Sequence, residues 1–200
     1  KTRVLTYRAA YLLHLGVRPE SILALTFTNK AADEMKARIT ALVGSKSRQV
    51  WMGTFHSIFA RILRMECEQL GYHRNFSIYD TDDSLSLIKN IMGTEGISQQ
   101  QFSPQAIRSR ISGAKNQMIS SKAYRESAID PMTERTARVY ALYEKRLKQS
   151  NAMDFDDLLL RPLELFLRHK PVLEHYQQRF TYILVDEYQD TNRVQYSLIK

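Results

Sequence analysis

One cysteine, five prolines and seven glycines in 200 residues leave little from which to build a disulfide framework or a flexible linker. With Cys67 alone, an intrachain disulfide is excluded, which fits a reducing compartment, and the expected location is cytoplasmic. Its own expected role is that of a small apolar packing residue. Long apolar runs are missing too: none approaches the roughly 20 residues of a membrane span, and the first residues lack a signal-peptide pattern. No internal repeat or low-complexity segment is apparent. What remains is a chain with 44% hydrophobic and 25% charged residues, enough for a folded core in one ordinary domain or two small ones. Its formal net charge of +8 suggests a polyanionic partner, although a basic surface also serves solubility.

Short apolar runs at residues 21–26, 49–53 and 182–185 read as strands, the last of them as a buried parallel strand. Helical stripes lie between them. Residues 3–15 carry Val4, Leu5, Ala9, Leu12 and Leu13 on one side, with Gly16 placed as a stop. Asn29 suits an N-cap for a helix with Met35, Ile39, Leu42 and Val43 inside, ending at Gly44. Ile58, Phe59, Ile62, Leu63 and Leu70 give the next helix its apolar side before Gly71, and Arg61 and Arg64 on it read as solvated charge.

From residue 80 to about 167 strand-like runs disappear. Asp80, Asp82 and Asp83 precede one helix, Ser103-Pro104 looks like the N-cap and first position of another, and Asn151 is a plausible stop for a helix over 133–149. Asp154, Asp156 and Asp157 invite a metal hypothesis, but the expected role is a cap with first-turn acids. Arg108, Arg110, Lys115 and Lys122 cluster along residues 106–122, a pattern that usually marks a wet helix face.

The most informative stretch is Tyr182-Ile183-Leu184-Val185-Asp186-Glu187-Tyr188-Gln189-Asp190. An apolar run that ends in two adjacent carboxylates puts acids at the carboxyl end of a strand, where open α/β sheets bind ligands. Asp186 there can hold Mg²⁺, a hard cation that takes oxygen ligands, and Glu187 can orient and deprotonate a water. A strand that ends in an acidic helix cap has the same local pattern. With Gln189, Asp190, Thr191 and Asn192 behind it, the string resembles the Walker B motif of superfamily 1 DNA helicases of the UvrD/PcrA/Rep group. Three further stretches are similar to that family's motifs, in its order: Lys1-Thr2-Arg3 to the end of Walker A, Thr26-Phe27-Thr28-Asn29-Lys30-Ala31-Ala32 to motif Ia, and Gly53-Thr54-Phe55-His56-Ser57 to motif Ib.

That resemblance implies a RecA-like P-loop NTPase fold, α/β, with an incomplete parallel-sheet 1A domain and an inserted, mainly helical 1B subdomain. The expected bounds are 1–79 and 168–200 for 1A and 80–167 for 1B. An insertion also explains how residues 185 positions apart (186 − 1) come to share one phosphate site. The resemblance makes Lys1 the ligand of the β- and γ-phosphates, Thr2 and Asp186 the ligands of Mg²⁺, Glu187 the base, and Arg3 a planar cation over adenine, with Gln189 in the ATP site. The glycines that precede such a lysine are absent, and the chain is expected to be cut at both ends. Phe27 is either core or, as in the family, a stacking face for single-stranded DNA, with Thr26, Thr28, Asn29, Lys30 and Thr54 around the backbone. His56 has no Cys/His companion at zinc spacing, and the resemblance makes it a DNA contact. Lys115-Asn116 resembles a 1B segment that approaches duplex DNA.

The implied activity is ATP-dependent 3′-to-5′ movement on single-stranded DNA and at single-strand/duplex junctions, in DNA repair or replication. It needs the 2A and 2B domains, absent here, so the fragment alone is expected to be inactive. Two other readings remain open at this point: the motor part of a recombination helicase–nuclease, and a non-catalytic basic nucleic-acid module.

Overall fold

Strands β1 (Ile22–Thr26), β2 (Trp51–Thr54), β3 (Ser77–Tyr79), β4 (Ala152–Asp154) and β5 (Tyr182–Val185) form two short parallel sheets in the computed structural model, which describes residues 2–200. The first half of the chain adds helices α1 (Thr2–His14), α2 (Asn29–Val43), α3 (Phe55–Glu66) and α4 (Thr81–Thr94). Then come α5 (Pro104–Asn116), α6 (Ser121–Glu126), α7 (Pro131–Gln149), α8 (Asp157–Arg168), α9 (Lys170–Arg179) and α10 (Arg193–Ile199). Two compact units result. One takes the residues up to Leu63 together with Pro162–Lys200; the other is Arg64–Arg161. The chain passes from unit to unit inside α3 and again inside α8, at Arg161-Pro162, where proline has no N–H to continue the helical ladder.

The first unit is built on β1. All five of its residues are buried, as a strand flanked on both sides and covered on both faces must be. The strand order is β2-β1-β5, with Thr26 opposite Thr54 and Leu25 opposite Val185. Ala9, Leu12 and Leu13 of α1 and Met35 and Ile39 of α2 pack with Ile22 and Ala24. The expected glycine stops hold: Gly16 and Gly44 take φ +85° and +65°, open to glycine at little cost. The cap of α2, however, is Thr28, whose hydroxyl accepts from the Ala31 N–H at 3.2 Å; Asn29 is the first helical residue. Strand β5 also departs from expectation. It lies at the sheet edge, and Ile183 is 39% exposed where a fully buried strand was expected.

The second unit is mainly helical, with Ile88, Ile91, Ile107, Ile111, Val139, Tyr140 and Leu147 in one core. The expected caps form. Asp80 and Asp83 make a reciprocal capping box at α4, Ser103 caps α5 with Pro104 in its first turn, and Asn151 adopts a left-handed φ of +47° just past α7. The expectation that strands vanish after residue 80 fails at β4, which pairs in parallel with β3. Three residues are too few for a period to show.

Lys115 binds this unit together. It is not a wet residue of α5: its side chain is 0% exposed, and Nζ donates to Asp154 Oδ2 at 2.7 Å and lies 3.0 Å from Asp157 Oδ1. Tyr143 donates its hydroxyl to the same Asp154 oxygen at 3.0 Å, and Arg161 approaches Asp157 at 3.2 Å. The aspartates do start α8, since the Asp157 N–H donates to Asp154 Oδ1 at 2.9 Å, but their charges are turned inward. Burial pulls the Lys115 ammonium towards neutrality, yet Asp157 and Asp154 more than offset it and its pKa is raised. Burial opposes the Asp157 charge, and Lys115 and Arg161 overcome it, so its pKa is lowered. Asp154, desolvated and beside the Asp157 charge, is pushed up to about 6. Arg64, also expected to be solvated, donates to the Phe76 carbonyl at 2.7 Å and stacks on its ring at 3.7 Å. Cys67 is fully buried, as its packing role requires, and burial raises its pKa.

Removing one partner of a buried ion pair strands the others. Lys115→Ala is expected to lower unfolding free energy by about 3–5 kcal/mol in urea titration. The pH dependence has a definite sign. Asp154 binds its proton more tightly folded than unfolded, so its contribution is complete below its ordinary value of 3.8 and is lost as pH rises through about 6. Asp154→Asn should therefore remove a fall in stability between those two pH values, seen as a flatter curve than that of the parent chain.

Candidate active site

The carboxyl ends of the three parallel strands bring the expected residues together. Thr26 ends β1, Thr54 ends β2 directly opposite it, and Asp186 follows β5. The Asp186 N–H donates to the Leu25 carbonyl at 2.9 Å, which carries the ladder one residue past the strand and fixes where its side chain starts. From there Asp186 Oδ2 accepts the hydroxyl of Thr2, at the start of α1, at 2.6 Å. These two residues lie 184 positions apart. Asp186 is 6% exposed, so this is a short hydrogen bond to a shielded carboxylate, the stronger kind. Lys1 lies outside the described residues.

Glu187 turns the chain sharply. It adopts φ +49° and ψ +45°, the left-handed region, which costs a residue other than glycine roughly 1–2 kcal/mol. Strain of this kind persists where the surroundings hold it and is concentrated at working sites. The Gln189 amide donates to Glu187 Oε2, so the two side chains expected in the nucleotide site are in contact. Asn192 then caps α10 in a reciprocal box with Gln195. Thr2 and Asp186 offer a hydroxyl and a carboxylate oxygen side by side, hard donors of the type Mg²⁺ takes when water and phosphate complete its shell. Such a pair fits that ion. Among the described residues, no group of three or more His, Cys, Asp or Glu side chains is placed to hold a metal by itself. Arg3, one residue on, lies with its guanidinium 5.7 Å from the Tyr7 ring and lines an open depression of about 350 Å³ with Thr6, Tyr7 and Arg38.

The loops after β1 and β2 meet through their aromatics. Phe27 is half-buried and packs its ring 5.5 Å from that of Phe55, which is buried in turn. Neither alternative read from the sequence is complete: Phe27 rests on the core with part of its surface open. Thr28, Asn29 and Lys30 beside it are exposed, and His56 is half-buried at the start of α3. Thr26 and Thr54 are buried, at 0% and 7% exposure, so they hold loops and do not offer an open contact surface. Thr26 donates to the Thr28 carbonyl at 3.2 Å, and Thr54 accepts from the Ser57 N–H at 3.2 Å. Gly53 matters for the same turn: a Cβ there would stand 2.5 Å from Ser57 Oγ, so the Ser57 hydroxyl would have to leave its bond to the Thr54 carbonyl. Lys115, its charge consumed in the core of the second unit, presents nothing to a nucleic acid.

Sequence reading missed the strained turn at Glu187, which no glycine announces, and the arginines around Trp51, which lie far apart in the chain. Arg61, expected to be solvated, stacks on the indole with its guanidinium carbon 3.9 Å from the ring centre.

Known proteins resemble this chain along its whole length. The family model of the UvrD/REP helicase N-terminal domain matches residues 1–200. A protein of Staphylococcus epidermidis named ATP-dependent DNA helicase PcrA is 47% identical over 201 aligned residues, covering 100% of this chain and 28% of the relative. Its namesake in Staphylococcus aureus is 46% identical with the same coverage. The chain thus spans little more than a quarter of the length of these relatives and is homologous to the N-terminal part of PcrA-type helicases. With Thr2 and Asp186 joined across the sheet and the family match running from end to end, the chain belongs to the UvrD/REP helicase N-terminal domain family.

Proposed function

We propose that this chain is the ATP-binding N-terminal part of a DNA helicase or translocase that moves 3′ to 5′ on single-stranded DNA. In this reading the unit built on β1 is the RecA-like 1A domain. The unit Arg64–Arg161 is the helical 1B insertion expected over 80–167. The observation that carries the proposal is the 2.6 Å bond between Thr2 and Asp186, which joins the end of one phosphate-binding motif to the acid of the other. The relatives named ATP-dependent DNA helicase support the substrate, ATP.

Each residue then has a task. Lys1 would meet the β- and γ-phosphates, and Thr2 and Asp186 would hold Mg²⁺, which would supply positive charge against the triphosphate. Glu187, aimed by its left-handed backbone and held by Gln189, takes the proton of the attacking water. Arg3 lies against adenine. Phe27 offers its open surface to a base, while Thr28, Asn29 and His56 contact the strand and Thr26 and Thr54 keep the loops in place. The unpaired edge of β5 fits a sheet that continues in the remainder of the polypeptide, where the 2A and 2B domains would complete the motor and its hold on a single-strand/duplex junction.

Replacing Glu187 by Gln in the intact parent is expected to lower DNA-stimulated hydrolysis by about 10²–10⁴-fold while ATP binding is retained. Unchanged turnover would reject Glu187 as the base and favour a non-catalytic nucleic-acid module. Phe27→Ala should weaken single-stranded DNA binding by about 5- to 150-fold, the value of one stacked base, in a fluorescence anisotropy titration. The 200-residue chain alone is expected to hydrolyse almost no ATP, and a robust DNA-stimulated rate from it would overturn that expectation.

A further inference from the structure

The opposite end of the three-stranded sheet holds a different arrangement. Trp51 opens β2 and is 3% exposed. Arg61 of α3 lies over its ring at 3.9 Å and Arg179, which ends α9, at 4.7 Å, with Phe180 packed edge-on at 5.2 Å. Arg61, Arg179, Arg48 and Glu20 border one open cavity of about 360 Å³ with Trp51 in its wall. Glu20 precedes β1, Arg48 precedes β2 and Arg179 precedes β5, so the cavity is at the amino ends of the strands. Thr2, Asp186 and the loop bearing Phe27 belong to the carboxyl ends, about 15 Å away along a five-residue strand.

Three guanidinium groups that share a cavity repel one another, and folded chains usually relieve this with carboxylates. Here none of Arg48, Arg61 and Arg179 takes part in an ion pair or a side-chain hydrogen bond among the described residues, although Arg38, Arg74, Arg138, Arg161 and Arg168 all have acidic partners. Arg179 Nε is buried and has no acceptor. The indole lies against two of the three guanidinium groups without taking a hydrogen bond from either, and a guanidinium matches a carboxylate in paired hydrogen bonds.

We propose that this cavity is a docking site for the carboxylates of an acidic peptide segment on a partner protein. Charge complementarity selects the occupant, and the geometry disfavours a nucleic-acid strand. A strand needs an open aromatic face and cations spaced along a track. Here the indole is covered and the cations converge on one concavity. Among the described residues Glu20 is the only acid in the cavity wall, and it weakens the site that the arginines make.

Trp51 is the only tryptophan of the chain, so its emission reports on this site directly. The 200-residue chain should be titrated with a capped hexaglutamate peptide, with inorganic phosphate and with a short oligothymidylate, following Trp51 fluorescence and binding heat. The expected result is saturable binding of the peptide, tighter than either other probe and weakened by added salt. Arg48→Gln, which leaves both stacked arginines in place, should raise the peptide Kd on the order of 10-fold, the value of one charge-assisted hydrogen bond. Glu20→Gln should lower it several-fold, and melting curves of both variants would establish that they fold. Absence of saturable peptide binding, equal or tighter binding of phosphate or oligothymidylate, or an unchanged Kd in both folded variants would each overturn the proposal.

Discussion

Parallel pairing of β1 with both of its neighbours is the constraint from which the rest of this molecule follows. A parallel pair cannot be closed by a tight turn; the chain must leave one end of the sheet and return at the other. Between β1 and β2 that return is α2 and a short 3-10 segment, Gly44–Gln49. Between β2 and β5 it is the whole run from α3 to α9, including a second unit with its own core and its own small sheet. Closing so long a loop costs little more than closing a short one, because the entropy grows only with the logarithm of length. What the long return does require is that the intervening segment bury its own apolar surface, and Arg64–Arg161 does so around Ile88, Ile111, Val139 and Tyr140.

The same constraint explains why the site is where it is. Parallel strands end together, so residues that follow them meet at one edge whatever their separation in sequence. Asp186 becomes a neighbour of Thr26 because its N–H continues the pairing with Leu25, and Thr2 reaches it because α1 packs through Ala9, Leu12 and Leu13 with the residues of β1. The hydrogen bond between Thr2 and Asp186 is thus a product of backbone pairing and apolar packing. The site is held by the core beneath it.

How much of this could be read in advance depended on the range over which each feature is encoded. Strand β5 and the glycine ends of α1 and α2 are local, written in a run of apolar side chains or one residue with no Cβ, and they were legible. The short strands β3 and β4 were not, since three residues carry no period and their pairing joins segments far apart. The cap of α2 was misplaced by one position because Thr28 and Asn29 are both good capping residues, and only the backbone angles choose between them. The turn at Glu187 was hidden for a related reason: its left-handed conformation is imposed by what surrounds it, against the preference of the residue itself. The residues of the site could be named only because motifs in a known order accompany them; a lone Lys-Thr or Asp-Glu pair would have named nothing.

Charge is where the sequence misled most, and the reason is physical. A net charge of +8 counts every lysine and arginine alike, but the fold sorts them. Lys115 sits in a segment with three other basic residues and reads as surface, yet it is sealed between Asp154 and Asp157, 39 and 42 positions further on (154 − 115 and 157 − 115), and is neutralised there. Arg61 reads as solvated charge, yet the fold gathers it with Arg179 against one indole and with Arg48 around one depression, none of the three in an ion pair among the described residues. Burial with a partner turns a cation into part of the frame, because its field is cancelled within a few ångströms. Convergence without a partner does the opposite, because the fields of cations around one concave surface add. The location of unpaired charge, and not its total, therefore decides which faces of this molecule attract an anion.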